Sequence, residues 1–459
     1  MLVDSLMLDN IRCFRHQTLD FERGVRPRPG EPHRWVTLLG ENGVGKSTIL
    51  QSLALLLAGP EAAKELLPRP DGWVRDPAKA GRLTASLLGG SDDGQAFDES
   101  GRSSSPNGRR DFTVSYSMTS TFPIKVGRET YAEPALVEDH SRALSWLRTN
   151  AFASNARGWF AAGYGSFRRL PKVDGILVPS LTLDPSTRAS GFVTLFDEDR
   201  ALNTFDRWMV SLDYRIAKDP YDDEARRMRD VGERTIARLL PKNTRILDVA
   251  DDGMTRFRID GRIVPSTGLS DGYRSVVALA GDLIWRLMQA YPDLDDPTHA
   301  PGVVLIDELD AHLHPSWQRQ IAGWLRDTFP QLQFIVATHS PLIAIGAGED
   351  ARTLRLETIE GETRVTPIKD LSAYDADRAL RSPAFGLPST HSPTTDDKIR
   401  RYHELRGRLV AGDVSLDARE KKEYEKLEQF MAEAQPIGGQ PEPGSLEARI
   451  DAYLESVLR

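Results

Sequence analysis

The chain of 459 residues is long enough for two or three domains, and its 40% hydrophobic and 27% charged residues are the proportions of a globular protein. No apolar run approaches the roughly 20 residues of a membrane helix, the start MLVDSLMLDNIRCF lacks the pattern of a signal peptide, and one cysteine, Cys13, leaves no disulfide framework or cysteine-rich zinc site. The net charge of −8 advertises no nucleic-acid partner, and the expected location is the cytoplasm, with no membrane involved.

Residues 2–21 alternate in hydrophobicity and close on TLDF, the pattern of an edge strand pair. They lead into WVTLLG (35–40), an apolar run of strand length that stops at a glycine loop. KSTILQSLALLLAG (46–59) has apolar residues at helical spacing and ends at Gly59–Pro60, a helix stop. Strand, glycine loop and helix open a βαβ unit. The middle region, 61–265, is of mixed character. It holds a loop rich in Gly, Ser and charge (89–110) that is expected to be mobile, an alternating strand (111–118), and two helices with one apolar side (195–216 and 222–241). A β-meander (244–264) with turns at Asp-Gly dipeptides follows. Two basic spots, Arg168–Arg169 and Arg226–Arg227–Arg229, read ordinarily as solvated faces, with DNA contact as the alternative.

The second half returns to α/β pattern. An amphipathic helix (273–291) precedes a buried strand (302–308) that ends in two acids. Next come a helix (316–329), a second buried strand (333–340) and a hairpin (353–368). The tail from about 371 is charged and mostly helical, with a Pro/Gly linker (436–444) before one last short helix.

GENGVGKST (40–48) fits G-x-x-x-x-G-K-[ST]. Gly40, Glu41, Asn42, Gly43, Val44, Gly45, Lys46, Ser47 and Thr48 would wrap backbone N–H groups round phosphate oxygens, aided by the N-terminus of the following helix. Lys46 would supply charge to the β- and γ-phosphates, and Ser47 a hydroxyl to Mg²⁺. VVLIDE (303–308) places Asp307 and Glu308 at the carboxyl end of a buried strand, where open parallel sheets bind ligands. Asp307 is the candidate metal ligand and Glu308 the candidate polariser of the attacking water. QFIVATHS (333–340) puts His339 at the end of the next apolar strand, within reach of a γ-phosphate.

In that order, GENGVGKST, LSDGYRS, VVLIDELDAHLHP and ATHSP resemble the ATPase head of the SMC/Rad50/RecF branch of ABC-type ATPases, to which the OLD proteins also belong. LDNIRCFRHQTLDF resembles the opening strands of that branch, and the likeness covers roughly 1–60 and 265–345. It implies an α/β P-loop head, a mixed sheet flanked by helices, with an inserted α/β lid and a helical C-terminal tail. The implied parts are a Walker A lobe (1–60), the inserted middle (61–265), a second ATPase lobe (266–370) and the tail (371–459).

The likeness also implies roles. Leu269, Ser270, Asp271 and Gly272 match the ABC signature, whose Ser270 and Gly272 would face a γ-phosphate held by a second molecule. Asp310, in ELDAH, matches the D-loop at a dimer seam, His339 the switch histidine, and Arg12 a basic position that approaches the nucleotide. Lys46, Glu308 and His339 would be the catalytic set. The glutamine that normally senses Mg²⁺ at the start of the insert has no clear counterpart. ATP and Mg²⁺ would be the cofactors, and a homodimer or higher homo-oligomer, with ATP sandwiched between heads, the working form.

The middle region has glycine and proline throughout and no sustained heptads, which excludes a long coiled-coil arm. GWFAAGYGSFRRL (158–170) and the helices at 195–241 look like the lid of stand-alone prokaryotic ATPases, many from anti-phage systems such as OLD, Gabija, Septu and PARIS. No Toprim nuclease cluster follows the head, and the histidines of HLH (312–314) fall in the D-loop match rather than a metal site. Residues 375–409 resemble the tail of Septu-like ATPases. The expectation is an ATP-hydrolysing sensor or scaffold of anti-phage defence with a separate effector, such as an HNH nuclease. The alternative is a RecF-like ATPase that binds DNA in repair or recombination; a transporter subunit is disfavoured.

Overall fold

The computed structural model describes residues 1–21, 32–90, 93, 95–96, 110–126, 129–153, 156–168, 188–197, 200, 202, 204–241, 243–369, 371–411 and 416–434. The chain divides into two units, Met1–Phe385 and Gly386–Arg459.

β1 (Leu2–Ile11) and β2 (Phe14–Asp20) form the antiparallel pair expected of residues 2–21. Their turn takes Asn10 (φ 54°) and Arg12 (φ 43°) into the left-handed region. β3 (Trp35–Leu39) is buried at every residue and runs through the glycine loop into α1 (Lys46–Ala58). α1 does stop at Gly59, but Pro60 restarts the chain as α2 (Pro60–Leu66). Proline is well suited to a first helical position because the N–H it lacks has no partner there anyway.

The middle region contributes strands to both large sheets of the first unit. β4 (Gly81–Gly89) lies against β1, and beyond it come β6 (Arg110–Val126) and β7 (Glu129–Glu138). The result is a five-stranded antiparallel sheet in the order β2-β1-β4-β6-β7. A two-residue pair, β5 (Gln95–Ala96) with β8 (Ala156–Arg157), and helix α3 (Arg142–Asn150) flank it. Most of the loop expected over 89–110 lies outside the described residues. β9 (Ala161–Tyr164), from the stretch read as lid, is instead an edge strand of the nucleotide-site sheet.

The helix expected over 195–216 begins only at Thr204, as α4 (Thr204–Lys218). Before it, Ala189–Gly191 and Val193–Leu195 make short 3₁₀ turns. Packing explains the difference. A Cβ on Gly163 would come within 2.3 Å of Leu195, and Gly165 N–H donates to Thr194 Oγ1 at 3.2 Å, so this segment is drawn onto β9. α5 (Asp223–Leu239) and the meander β10 (Thr244–Val249), β11 (Thr255–Ile259) and β12 (Arg262–Pro265) form where the periodicity places them.

α6 (Asp271–Ala290), β13 (Gly302–Ile306), α7 (Pro315–Thr328), β14 (Leu332–Thr338), α8 (Pro341–Gly346), β15 (Arg352–Ile359) and β16 (Glu362–Ile368) complete the second sheet. Its order is β16-β15-β3-β14-β13-β9, parallel except for the β15–β16 hairpin. Alternate residues serve opposite cores, as the two-residue period of a strand requires. Val36, Leu38, Val303, Leu305, Ile335 and Ala337 pack with α1 and the antiparallel sheet. Trp35, Val304, Ile306, Phe334 and Val336 pack with α4–α7. The six-stranded sheet is thus covered on both faces, which is why its strands read as unbroken apolar runs.

α9 (Ala376–Arg381) closes the first unit. In the second, α10 (Pro393–Ala411) and α11 (Ala418–Ala434) pack through Tyr402, Leu405, Leu416 and Leu427. The last short helix expected after 444 lies outside the described residues. Among those residues no helix is long and apolar enough to cross a membrane.

Candidate functional site

β3, β14 and β13 are parallel neighbours, so the segments leaving their carboxyl ends meet at one sheet edge. From β3 comes the glycine loop, from β13 Asp307 and Glu308, and from β14 His339. In the loop Glu41, Asn42 and Gly43 are exposed, Val44 is buried, and Gly45 ends the turn at φ 102° as the N-cap of α1. Gly40 is pressed from below, since a Cβ there would lie 2.6 Å from the Leu356 carbonyl oxygen. Lys46 is 6% exposed and its Nζ donates to the carbonyls of Gly40 and Glu41, both at 2.8 Å. Ser47 is exposed on the first turn of α1 and Thr48 is buried.

Burial pushes the Lys46 ammonium below its usual range, while Asp307, Glu308 and Asp310 pull it back up. Burial, and then the Lys46 charge, hold the His339 imidazole below its ordinary value against the same three acids. One cation, three carboxylates and a neutral imidazole therefore share one electrostatic neighbourhood. Asp310 is fixed by two bonds: Thr338 Oγ1 and His339 N–H both donate to its Oδ1, the second at 3.3 Å. Glu308 is held with φ at 46°, a left-handed conformation that costs a non-glycine residue free energy.

Arg12 lies beside α1. Its Nη1 donates to Gln51 Oε1 at 2.8 Å and Thr48 Oγ1 at 3.3 Å, and its guanidinium sits 4.0 Å from the Trp73 ring centroid. Leu269 is buried, whereas Ser270 is exposed at the N-cap of α6 with no side-chain capping bond. Serine there normally accepts from the helix's own N–H groups, so this hydroxyl and the helix N-terminus stay available to an anion. Asp271 is exposed, and a Cβ on Gly272 would lie 2.9 Å from the His312 carbonyl oxygen, so the signature turn abuts the D-loop segment of its own chain. Among the described residues no hydrogen bond joins Ser270 to the glycine loop. Sequence order thus leads to one sheet edge for five of the candidate residues and to a separate, outward-facing turn for the signature.

Sequence reasoning missed Arg168. Read as part of a solvated or DNA-binding spot, it is 1% exposed and points into the site edge. Nη1 donates to the carbonyls of Gly165 at 2.7 Å and of Asp307, and Nη2 to that of Glu308 at 2.8 Å. The signal was the apolar WFAAGYG run before it, which marks a buried strand. The second basic spot is also engaged: Arg227 pairs with Asp295, and Arg229 with Asp213 and Glu233. Asp282, in the middle of α6, is another omission. It is fully buried and accepts from Tyr164 Oη, Thr204 Oγ1 and Arg286 Nε at 3.0, 2.7 and 2.6 Å. A single acid on the apolar side of ALAGDLIW was the clue.

His314 caps α7, accepting from Ser316 N–H at 3.3 Å. No group of three or more His, Cys, Asp or Glu suited to a metal occurs among the described residues. The Ser47 hydroxyl and Asp307 carboxylate are nonetheless oxygen donors of the kind a hard divalent cation takes, with water and phosphate oxygens completing its shell.

A glycine loop between a parallel strand and a helix, with carboxylates at the end of a strand in the same sheet, defines a P-loop ATPase. More narrowly, the chain belongs to the family described as "AAA domain, putative AbiEii toxin, Type IV TA system", which matches residues 36–345, from β3 to α8. It is similar to the Septu protein PtuA of Bacillus mycoides (strain KBAB4), at 25% identity over 98% of this chain and 53% of that one. A retron Vc95 probable ATPase of Vibrio cholerae serotype O1 biovar El Tor is 45% identical over 36% of this chain and 32% of its own length. The chain thus spans about half of the first relative and about a third of the second. Among solved structures, the SMC head bound to the C-terminal winged-helix domain of ScpA has a TM-score of 0.47 at 16% identity, over 82% of this chain and all of that one.

Proposed function

We propose that this chain is an ATP-hydrolysing switch that closes by pairing two copies around ATP. The observation that carries the reading is the gathering of Lys46, Asp307, Glu308, Asp310 and His339 at one sheet edge, beside an exposed glycine loop. Gly40 to Thr48 hold the phosphates of ATP, with Lys46 neutralising charge on the β- and γ-phosphoryl groups. Arg12 steadies the start of α1 through Gln51 and Thr48. Ser47 and Asp307 would hold Mg²⁺, which supplies charge neutralisation to the phosphates. Glu308 orients a water and takes its proton as the water oxygen bonds to the γ-phosphorus. The bond from that phosphorus to the β,γ-bridging oxygen breaks, and ADP leaves. His339, kept neutral by burial and Lys46, donates a hydrogen bond to the transferring group.

Ser270 and Gly272 of the second copy complete the site, with Leu269 and Asp271 framing that turn and Asp310 near the seam. The uncapped Ser270 hydroxyl supports this, because it leaves an anion-binding helix N-terminus open to another molecule. Similarity to Septu and retron sequences supports a place in cytoplasmic anti-phage defence. Closure there would change how the middle region and the tail (371–459) hold a separate effector such as an HNH nuclease. The engagement of Arg168, Arg227 and Arg229 within the fold counts against a basic DNA-binding face.

The test is Glu308→Gln, measured by light scattering with and without ATP. An ATP-dependent dimer that turns over ATP only at a small, measurable residual rate is expected. A variant that stays monomeric at saturating ATP sinks the pairing scheme, and one that hydrolyses ATP at the wild-type rate removes Glu308 from its role.

A further inference from the structure

The buried guanidinium between β9 and the acid-bearing turn has no part in the chemistry above, and a charge so placed needs a reason. Arg168 is 1% exposed, and burying a cation is expensive unless it is closely satisfied. Burial lowers its pKa to about 10, with Asp307, Asp310 and Glu308 opposing that shift, so it remains protonated at neutral pH. Its fork does not grip the carboxylates, since every bond given to it goes to a backbone carbonyl: Gly165 at 2.7 Å, Asp307, and Glu308 at 2.8 Å. Two of the three belong to consecutive residues, the second of which, Glu308, is held at φ 46°. A left-handed non-glycine residue persists only where its surroundings over-determine it. Besides these bonds, Asp307 N–H donates to the Tyr164 carbonyl at 2.8 Å, Glu308 N–H to Asp307 Oδ1 at 3.1 Å, Ala311 N–H to the Glu308 carbonyl at 2.9 Å and Leu309 N–H to the Ala337 carbonyl at 3.2 Å, so Arg168 supplies the side-chain part of a shared hold.

We propose that Arg168 is a positioning residue for hydrolysis: its planar fork clamps the carbonyls of Asp307 and Glu308 to the end of β9, fixing the left-handed Glu308 backbone so that its carboxylate faces the attacking water. The inference rests on the proposed role of Glu308. Lysine would keep the charge but not the clamp, because a tetrahedral ammonium cannot reproduce a planar fork that reaches carbonyls on two separate segments. The effect should fall on turnover rather than on ATP affinity measured without Mg²⁺, since the glycine loop and Lys46, which hold the nucleotide itself, receive no bond from Arg168, whereas Asp307, the proposed Mg²⁺ ligand, does.

The experiment is a double-mutant cycle of Arg168→Lys and Glu308→Gln, with ATP turnover, ATP affinity without Mg²⁺ and thermal midpoint measured for all four proteins. Arg168→Lys should lower kcat by about tenfold or more, the effect of losing a charge-assisted hydrogen bond that positions a reacting group. ATP affinity should change less than about threefold. In the Glu308→Gln background the second substitution should cost no further turnover, because the residue it positions no longer acts. A purely structural role would instead lower turnover by the same factor in both backgrounds. Wild-type kcat in Arg168→Lys, equal losses in both backgrounds, or affinity falling in step with kcat overturns the clamp while leaving the ATPase reading intact. A wild-type chain that turns over no ATP, or a Glu308→Gln chain as active as wild type, overturns the functional reading and the clamp together. If Arg168→Lys does not fold, Arg168→Gln, which keeps a planar amide donor, takes its place in the same cycle under the same criteria.

Discussion

Asp282 is a buried polar junction of the first unit, and its removal makes a quantitative prediction. Asp282 is 0% exposed and joins α6 to Tyr164 at the end of β9 and Thr204 at the start of α4. Arg286, its ion-pair partner at 2.6 Å, has a side chain 13% exposed. Removing one member of a buried pair costs about 3–5 kcal/mol, because the other charge is left uncompensated. The Tyr164 hydroxyl, held protonated by burial and by Asp282, adds about 1–3 kcal/mol once its acceptor is gone. Against this, Arg286 keeps bonds to Ser190 at 3.2 and 3.1 Å, and members of one network do not sum fully. The net expectation for Asp282→Ala is about 4 kcal/mol, a fall in thermal midpoint on the order of 5–10 °C. Urea and thermal unfolding followed by tryptophan fluorescence provide the assay. Asp282→Ala/Arg286→Met, which removes the orphaned charge as well, should recover about half the loss. A single variant within about 1 kcal/mol of wild type, or a double variant no more stable than the single, would refute the reasoning.

At the nucleotide site, Gly45→Ala should abolish tight ATP binding. Its φ of 102° disfavours alanine, and the added Cβ would meet Cys13 Sγ at 2.5 Å and Phe14 Cζ at 2.7 Å. Cys13→Ala should relieve only part of this, and wild-type affinity by calorimetry would contradict the packing argument. His339 should give turnover an acid limb. Its folded pKa is lowered from the ordinary value of about 6.5, so kcat should hold through that pH and fall only below it, and His339→Gln should erase the limb. The sign for stability agrees: as pH falls the unfolded chain takes up this proton first, so the contribution is present above about pH 6.5 and lost through the folded pKa. A wild-type limb centred above pH 7 would contradict the burial argument.

Local chemistry made part of this protein legible. The glycine loop, the paired acids after β13 and His339 after β14 each follow an unbroken apolar run, and such runs announce strands buried on both faces. Because parallel strands share an edge, three motifs far apart in sequence had to converge once those strands were neighbours. Strand periodicity also gave the β1–β2 pair and the meander, and helical periodicity gave α1, α5, α6 and α7.

Long-range pairing was not legible in the same way. β9 is four residues long, and a short run such as AAGY takes its identity from its neighbour β13 rather than from its own pattern. Nothing local says that β4 pairs with β1, more than seventy residues before it, or that β6 and then β7 extend the same sheet beyond β4. The helix expected to start at 195 yielded to Gly163 on β9 and Gly165 just after it, which let Leu195 and Thr194 pack closely. Arg168 shows the division most plainly. An arginine in sequence is a charge that belongs in water unless three backbone carbonyls are brought to it, and only tertiary structure brings the ends of β9 and β13 together to do so. The sequence determined which residues are the candidates for phosphate and acid chemistry, because that chemistry needs particular side chains at fixed local spacings. The fold decided which backbone holds them in place, because carbonyls and N–H groups are the same at every residue and acquire a role only through position.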